Sequence, residues 1–285
     1  MYFVLFLQQF LASMTHIVGK SITYELPPPT VLVYRAAIAA AVYFIWIMIR
    51  KGKFKKIALR DLPVLLIISL LNVPLNQFLF LTSIEMTAPP NVALAYALTP
   101  AFVLVIALVF LKESSSPIKI SGIILAIIGA VFMIFERGID LRSDHFMGNM
   151  LVLIASLSWA LYTVLGRDFS RKYGAFYTTA LALIVGFIMY LIIFQFLPYE
   201  YHLEDMTATN WLQVFYLGAI TSGVAHALWY YALTKLEASK VAVFNNLQPV
   251  FTTILSVIIF GTPVTIPFLV GGSMIIAGVI MTQKG

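Results

Sequence analysis

ALAYALTP at residues 93–100 and AVFNNLQP at residues 242–249 are the same stretch written twice, 149 positions apart. Leu98 and Pro100 return as Leu247 and Pro249, and Ala93 returns as Ala242. Gly122 and Gly129 return as Gly271 and Gly278 at that same spacing. A weaker match at a slightly shorter offset pairs Ala12 and Ser13 with Ala155 and Ser156. Self-similarity at a fixed period marks an internal duplication. Each copy holds five apolar segments, an odd number, so the second copy enters a membrane upside down relative to the first. Two inverted halves around a shared centre are the architecture of secondary transporters, with the substrate site at the repeat interface.

Composition agrees with a bilayer as the solvent. Hydrophobic residues make up 61% of the chain and charged residues 11%, whereas about a quarter of an ordinary soluble domain is charged. With no cysteine among 285 residues, disulfides, thiolate metal sites and cysteine nucleophiles are excluded. The net charge of +6 reads as membrane topology rather than as a nucleic-acid surface, because the basic residues sit in short connectors. The first apolar stretch has no basic leader and is needed as the first span of the repeat, so it is not expected to be a cleaved signal peptide.

Apolar runs and breakers place ten spans near residues 2–21, 31–49, 62–82, 91–111, 118–135, 147–166, 175–196, 211–233, 240–260 and 265–282, each close to the length a bilayer requires. The fold class is therefore all-α integral membrane: ten transmembrane helices as two inverted five-helix repeats with a central cavity. The first repeat is 1–137, an outer connector is 138–146, and the second repeat is 147–285. Pro27, Pro28, Pro29, Pro63, Pro89, Pro90, Pro117, Pro198, Pro263 and Pro267 fall at or between span ends, where proline suits a first helical turn. Lys and Arg number 14 after the even-numbered spans and four on the opposite side, the latter being Lys20, Arg35, Arg137 and Arg142. The positive-inside rule then puts both termini in the cytoplasm, as in a multi-pass protein of the cytoplasmic (inner) membrane. Glu200, Glu204 and Asp205 fall on an outer loop.

Three prolines are not punctuation. Pro74, Pro100 and Pro249 lie inside spans, and each removes a backbone hydrogen bond to the residue four back. The carbonyls released at the two equivalent prolines would be those of Tyr96 and Asn245, and a bare carbonyl in lipid costs several kcal/mol unless protein, water or a ligand meets it. Proline kinks also serve packing alone, but two equivalent breaks at mid-depth favour a cavity wall or a hinge.

Polar side chains gather at the same depth. Ser222, His226 and Trp229 or Tyr230 share one face of the eighth span, and Asn72, Asn76 and Phe80 share one face of the third. The offset pairs Gln77 with His226 and Phe80 with Trp229, while His16 corresponds to Trp159 and Ser13 to Ser156. Tyr96 and Thr99 precede Pro100, Asn245, Asn246 and Gln248 precede Pro249, and Tyr162 lies one turn beyond Trp159. The candidate substrate-binding set is His16, Asn76, Gln77, Phe80, Tyr96, Thr99, Trp159, Tyr162, Ser222, His226, Trp229, Tyr230, Asn245 and Gln248. Such residues also bond across helices as packing glue, and Tyr2, Trp211 and Tyr199 near span ends read as interface anchors. Arg35, one turn into the second span, is expected to snorkel outward. Glu85, Glu113 and Glu237 sit near span ends and no acid lies at a midpoint, so no buried acidic proton relay is visible. The expected site is neutral and hydrogen-bonding with aromatic walls. It suits a zwitterion or an uncharged polar metabolite, aromatic ones included; an organic cation over the Trp or Tyr faces is a further option.

The fifth and tenth spans are aliphatic with small residues, among them Gly122, Ala126, Gly129, Gly271, Ser273 and Gly278, an arrangement that offers a supporting or homodimer surface.

The repeat, the central Pro100 and Pro249, Glu113 just past the fourth span and the glycines of the fifth and tenth spans together resemble the EamA-type drug/metabolite transporter superfamily. The likeness covers essentially the full length and is strongest over 76–135 and 225–282. Arg35 matches a basic position common in that family's second helix, while Thr262 stands where an acid often ends the ninth. The resemblance implies ten helices in two inverted repeats, with helices 1, 3, 4, 6, 8 and 9 lining the cavity and 5 and 10 peripheral. It also implies a transporter with no cofactor and no metal, acting on a small molecule, with proton or ion coupling left open.

The function expected is secondary active transport of an amino-acid-like metabolite by alternating access, in the direction of export, with Pro74, Pro100 and Pro249 as hinges. A channel or a lipid-linked sugar flippase is the alternative. A membrane-embedded lipid-modifying enzyme would need clustered carboxylates, paired histidines or a nucleophile and base at mid-depth, and none is present.

Overall fold

A computed structural model of the chain describes residues 1–50, 54–87, 92, 95–135, 146–197, 206–260 and 265–285. Ala93, Pro89, Pro90, Arg137, Arg142, residues 138–145 of the connector, Pro198, Glu200, Glu204, Asp205, Thr262 and Pro263 lie outside the described residues. Within them the chain is all-helical, with no strand. Ten helical segments follow one another: α1 (Tyr2–Thr23), α2 (Pro28–Ile49), α3 (Leu59–Met86), α4 (Ala95–Phe110), α5 (Pro117–Phe135), α6 (Phe146–Tyr173), α7 (Ala175–Phe194), α8 (from Ala208–Phe215 through His226–Leu233), α9 (from Ala238–Ala242 through Leu247–Phe260) and α10 (Ile266–Lys284). Six of these, α1, α2, α3, α6, α7 and α10, are long and apolar enough to cross a membrane.

Helix is the secondary structure that satisfies every backbone group internally, which lipid demands. Local chemistry sets the ends. Pro28, Pro63, Pro100 and Pro267 occupy first helical turns, where the missing N–H is no loss. Thr207 and Asn210 form a capping box that starts α8. Between α6 and α7 the chain reverses on one residue, Gly174, whose φ of 95° is easy only for glycine. Bulky side chains such as Phe44, Ile49, Val109, Ile124, Ile192 and Leu269 point outward and are exposed. Polar side chains such as Gln9, Asn72, Thr163 and Asn246 are buried. That inside-out distribution is the one a bilayer selects.

Two helices depart from regular geometry at equivalent places. Leu71–Gln77 in α3 and Tyr216–Ala225 in α8 are wound as π-helix, and the offset of 149 carries 71–77 onto 220–226. Pro74 lies inside the first stretch, where it cannot donate to the ladder. In the second, Tyr43 Oη donates to the Gly223 carbonyl at 2.9 Å, so a partner helix meets the loosened backbone. Such widened turns cluster at functional sites.

Pro100 and Pro249 each stand in the first turn of a regular helix rather than in the middle of one. Val243–Asn246 ahead of Pro249 is 3₁₀ in geometry, and the Leu98 N–H ahead of Pro100 bonds back three residues to Ala95 O at 3.3 Å. The break therefore precedes the proline in both cases. On the α4 side the Ala95 carbonyl is met by Ser156 Oγ at 2.8 Å; the carbonyl expected to need a partner was that of Tyr96, one residue along.

Packing between the two halves is reciprocal. A methyl added at Gly122 would meet Gly278 O at 2.7 Å, and one added at Gly129 would meet Gly271 O at 2.6 Å. The offset exchanges these two pairs. Likewise Gly218 of α8 lies against Arg35 O of α2, while Gly186 of α7 lies against Ser69 O of α3, and Gly218 is the equivalent of Ser69. Helix pairs follow suit: α1 packs on α9 and α8 as α6 packs on α4 and α3. Reciprocity of this kind is what two copies of one unit make across a two-fold axis. The small residues of α5 and α10 are consumed by each other inside one chain. Of the two uses expected for these faces, Gly122, Gly129, Gly271 and Gly278 serve the supporting one, while Ser273 stays exposed.

Candidate functional site

Beyond the regular helices, the polar residues converge on one cavity of ≈ 70 Å³. It holds a few waters or one small polar group, far less than the pockets that enclose drug-sized ligands. Gln8, Ala12, Thr15 and His16 of α1 line it on one face, as the helical repeat dictates. Asn76, Gln77 and Phe80 enter from α3, Tyr96 from α4, Trp159 from α6, and Gln248 from α9. Thr221, Ala225 and His226 enter from α8 and Arg35 from α2. The π turns of α3 and α8 thus deliver five of the lining residues directly or at their edge: Asn76, Gln77, Thr221, Ala225 and His226.

Two side-chain chains brace the wall. In one, Arg35 Nε donates to Ser222 Oγ at 2.8 Å, Ser222 Oγ to Gln77 Oε1 at 3.2 Å, and Gln77 Nε2 to Asn72 Oδ1 at 3.0 Å. In the other, His16 Nε2 donates to Gln248 Oε1 at 3.0 Å, Gln248 Nε2 to Gln9 Oε1 at 2.9 Å, and Gln9 Nε2 to Asn245 Oδ1 at 3.0 Å. Asn76 Nδ2 is shared between Tyr96 Oη at 2.9 Å and Ala155 O at 2.8 Å. Each chain crosses from one half of the molecule to the other. Aromatic rings complete the wall: His16 stands edge-on to Phe80 at 5.3 Å and to Tyr96 at 6.2 Å, and Trp159 lies 5.0 Å from His226.

Of the fourteen candidate residues, His16, Asn76, Gln77, Phe80, Tyr96, Trp159, His226 and Gln248 line the cavity. The other six stand behind that wall. Thr99 Oγ1 bonds Ser156 Oγ at 2.8 Å, Trp229 Nε1 donates to Thr163 Oγ1 at 3.1 Å, and Tyr230 Oη donates to Tyr162 O at 3.2 Å. Trp229, Tyr162 and Tyr230 have no exposed surface at all, and Gly166 is glycine because a Cβ there would collide with Tyr230 Oη at 1.9 Å. Asn245 and Ser222 support lining residues through the two chains just described. Facing the right direction along a helix does not suffice to reach a cavity when a neighbouring helix lies closer.

Arg35 corrects a larger expectation. It is 3% exposed and borders the cavity, so it does not snorkel and the site is not neutral. Its depth explains this: it is the eighth residue of α2, about 10 Å in from the helix start at 1.5 Å per residue. Gly218 lets α8 close onto the Arg35 backbone, and Ser222, one turn on, then reaches Nε. Small residues four apart in α8 facing a basic residue in α2 were the signal available. No carboxylate lines the cavity, and no group of three metal-ligating side chains exists among the described residues.

At the end of the bundle carrying the N terminus, charges are paired. Glu113, past the end of α4, accepts from Ala238 N at 2.6 Å and Ser239 Oγ at 2.6 Å at the start of α9, and lies 3.0 Å from Arg167 Nη1 of α6. Lys119 bridges to Glu237 at 2.6 Å. Asp61 accepts from Lys172 Nζ and Tyr173 Oη.

A solved structure described only as the crystal structure of a protein superimposes with a TM-score of 0.80 at 17% identity, covering 99% of this chain and 96% of the other. Among curated relatives, the uncharacterized transporter YyaM of Bacillus subtilis (strain 168) is 27% identical over 89% of this chain and 83% of its own length. An uncharacterized transporter of Archaeoglobus fulgidus is 28% identical over 90% and 88%. Residues 1–135 and 146–283 match the EamA-like transporter family. The chain is thus a multi-pass membrane transporter, not an enzyme, and it belongs to the EamA-like transporter family.

Proposed function

We propose that this transporter carries a small zwitterionic, amino-acid-like metabolite outward across the cytoplasmic membrane by alternating access. The observation that carries the reading is a cavity between the two halves, walled by side chains from both and braced by hydrogen bonds that cross between them. The halves, 1–137 and 147–285, are inserted in opposite senses, as their reciprocal contacts and the distribution of basic residues support. With both termini cytoplasmic, Glu113 ties the cytoplasmic ends of α4, α6 and α9 together, so this conformation is closed on that side. Opening there requires the Glu113 contacts to separate while the opposite ends approach. The hinges are the non-α stretches that precede Pro100 and Pro249 and the π turn at Pro74.

Counterflow in proteoliposomes tests the reading. Vesicles loaded with an unlabelled amino acid should accumulate the labelled one against its gradient, saturably, and His226→Ala should slow this at least tenfold. A channel gives no counterflow. Flux that rises without saturation, or exchange untouched by His226→Ala, contradicts the proposal.

A further inference from the structure

The cavity contains one full charge without a partner. Arg35 is buried, Nε is spent on Ser222, and Nη1 has no hydrogen-bond partner. Among the described residues no ion pair involves it, and no acid borders the cavity. A guanidinium in such a place is strongly disfavoured unless an anion joins it. In a protein whose task is to fill this cavity and empty it again, the missing anion is supplied by the cargo.

We propose that the cargo bears a free carboxylate and that the Arg35 guanidinium is its anchor, which deepens the reading just given and rests on this cavity being the cargo site. The charge inventory selects the anion. One guanidinium and no lysine line the space, beside the imidazoles of His16 and His226; the one permanent charge balances a monoanionic carboxylate but not a phosphate dianion. The guanidinium's planar donors fit a carboxylate edge. Gln8, 2% exposed and also on the wall, has its Oε1 without a donor, so an acceptor stands ready for an amino group. An unfilled donor and an unfilled acceptor on the wall of one cavity match the two polar ends of an α-amino acid; the ≈ 70 Å³ of this closed conformation takes those ends alone, and the side chain finds room beside the Phe80, Tyr96 and Trp159 rings as the halves part. Uncharged sugars and simple amines leave Arg35 unpaired and are excluded as cargo.

The test uses matched ligands on the purified full-length protein: phenylalanine and leucine, their amides and methyl esters, phenylethylamine, 3-phenylpropionate and inorganic phosphate. Binding is read by the thermal unfolding midpoint and by tryptophan fluorescence, since Trp159 borders the cavity; exchange is read by counterflow. The free acids should bind at least tenfold more tightly than amides, esters or the amine. Arg35→Gln should erase that preference, weakening the acids at least tenfold more than the amides. Amides or esters that bind as well as the acids overturn the assignment, as does an acid preference that survives Arg35→Gln, or stabilisation by phosphate alone. Should Arg35→Gln not fold, the acid–amide comparison in the unaltered protein decides by itself. Acid-selective binding without counterflow upholds Arg35 as a carboxylate anchor and overturns the transport reading; counterflow of amides or amines but not acids does the reverse.

Discussion

Glu113 is the residue on which the contacts at the N-terminal end of the bundle turn. Its carboxylate caps the α9 N-terminus through Ala238 N and Ser239 Oγ and neutralises Arg167, with only 3% of its side chain exposed. Removing one partner from a buried ion pair costs about 3–5 kcal/mol because the other charge is left bare. Glu113→Ala should therefore lower the unfolding midpoint in detergent more than Glu113→Gln, which keeps the shape and part of the capping. Equal effects would mean that the charge does not matter here. His226 and Gln77 could be read from the sequence because the duplication pairs them and both fall on polar faces. Arg35 could not be placed the same way: a cation one turn inside a span normally reaches the interface, and only the close approach permitted at Gly218 traps it.

Elements show the same division. The ten helices follow from apolar run length and from prolines at their ends, because lipid leaves the backbone no alternative. The π turns were only half legible. Pro74 announces the one in α3, but the one in α8 contains no proline and shows only as Gly218 and Gly223. Pro100 and Pro249 were recognisable as a pair, while their position at the start of a regular segment depends on the looser turns just before them. If those turns are hinges, Pro100→Ala and Pro249→Ala extend regular helix backward and stiffen the joint. Exchange should slow by about tenfold, with affinity for the same ligand changed less than about twofold. Equal losses in rate and affinity would assign the prolines to the binding wall instead.

At the scale of the whole molecule, the proposal that the second half is the first turned over ties the repeat, the cavity and the transport cycle together. Contacts between Gly122 and Gly278, and between Gly129 and Gly271, exchange under that operation. The duplication itself was plain in the sequence, whereas the pairing of α5 with α10 was not, since small-residue faces do not say whether their partner lies in the same chain. The most direct measurement exploits the absence of any native cysteine. Arg60 and Thr209, both exposed, begin α3 and α8 and are related by the offset of 149. Single variants Arg60→Cys and Thr209→Cys, treated with a membrane-impermeant maleimide, should label from opposite sides: Thr209→Cys in intact cells, Arg60→Cys only after permeabilisation. Labelling of both from one side would contradict it.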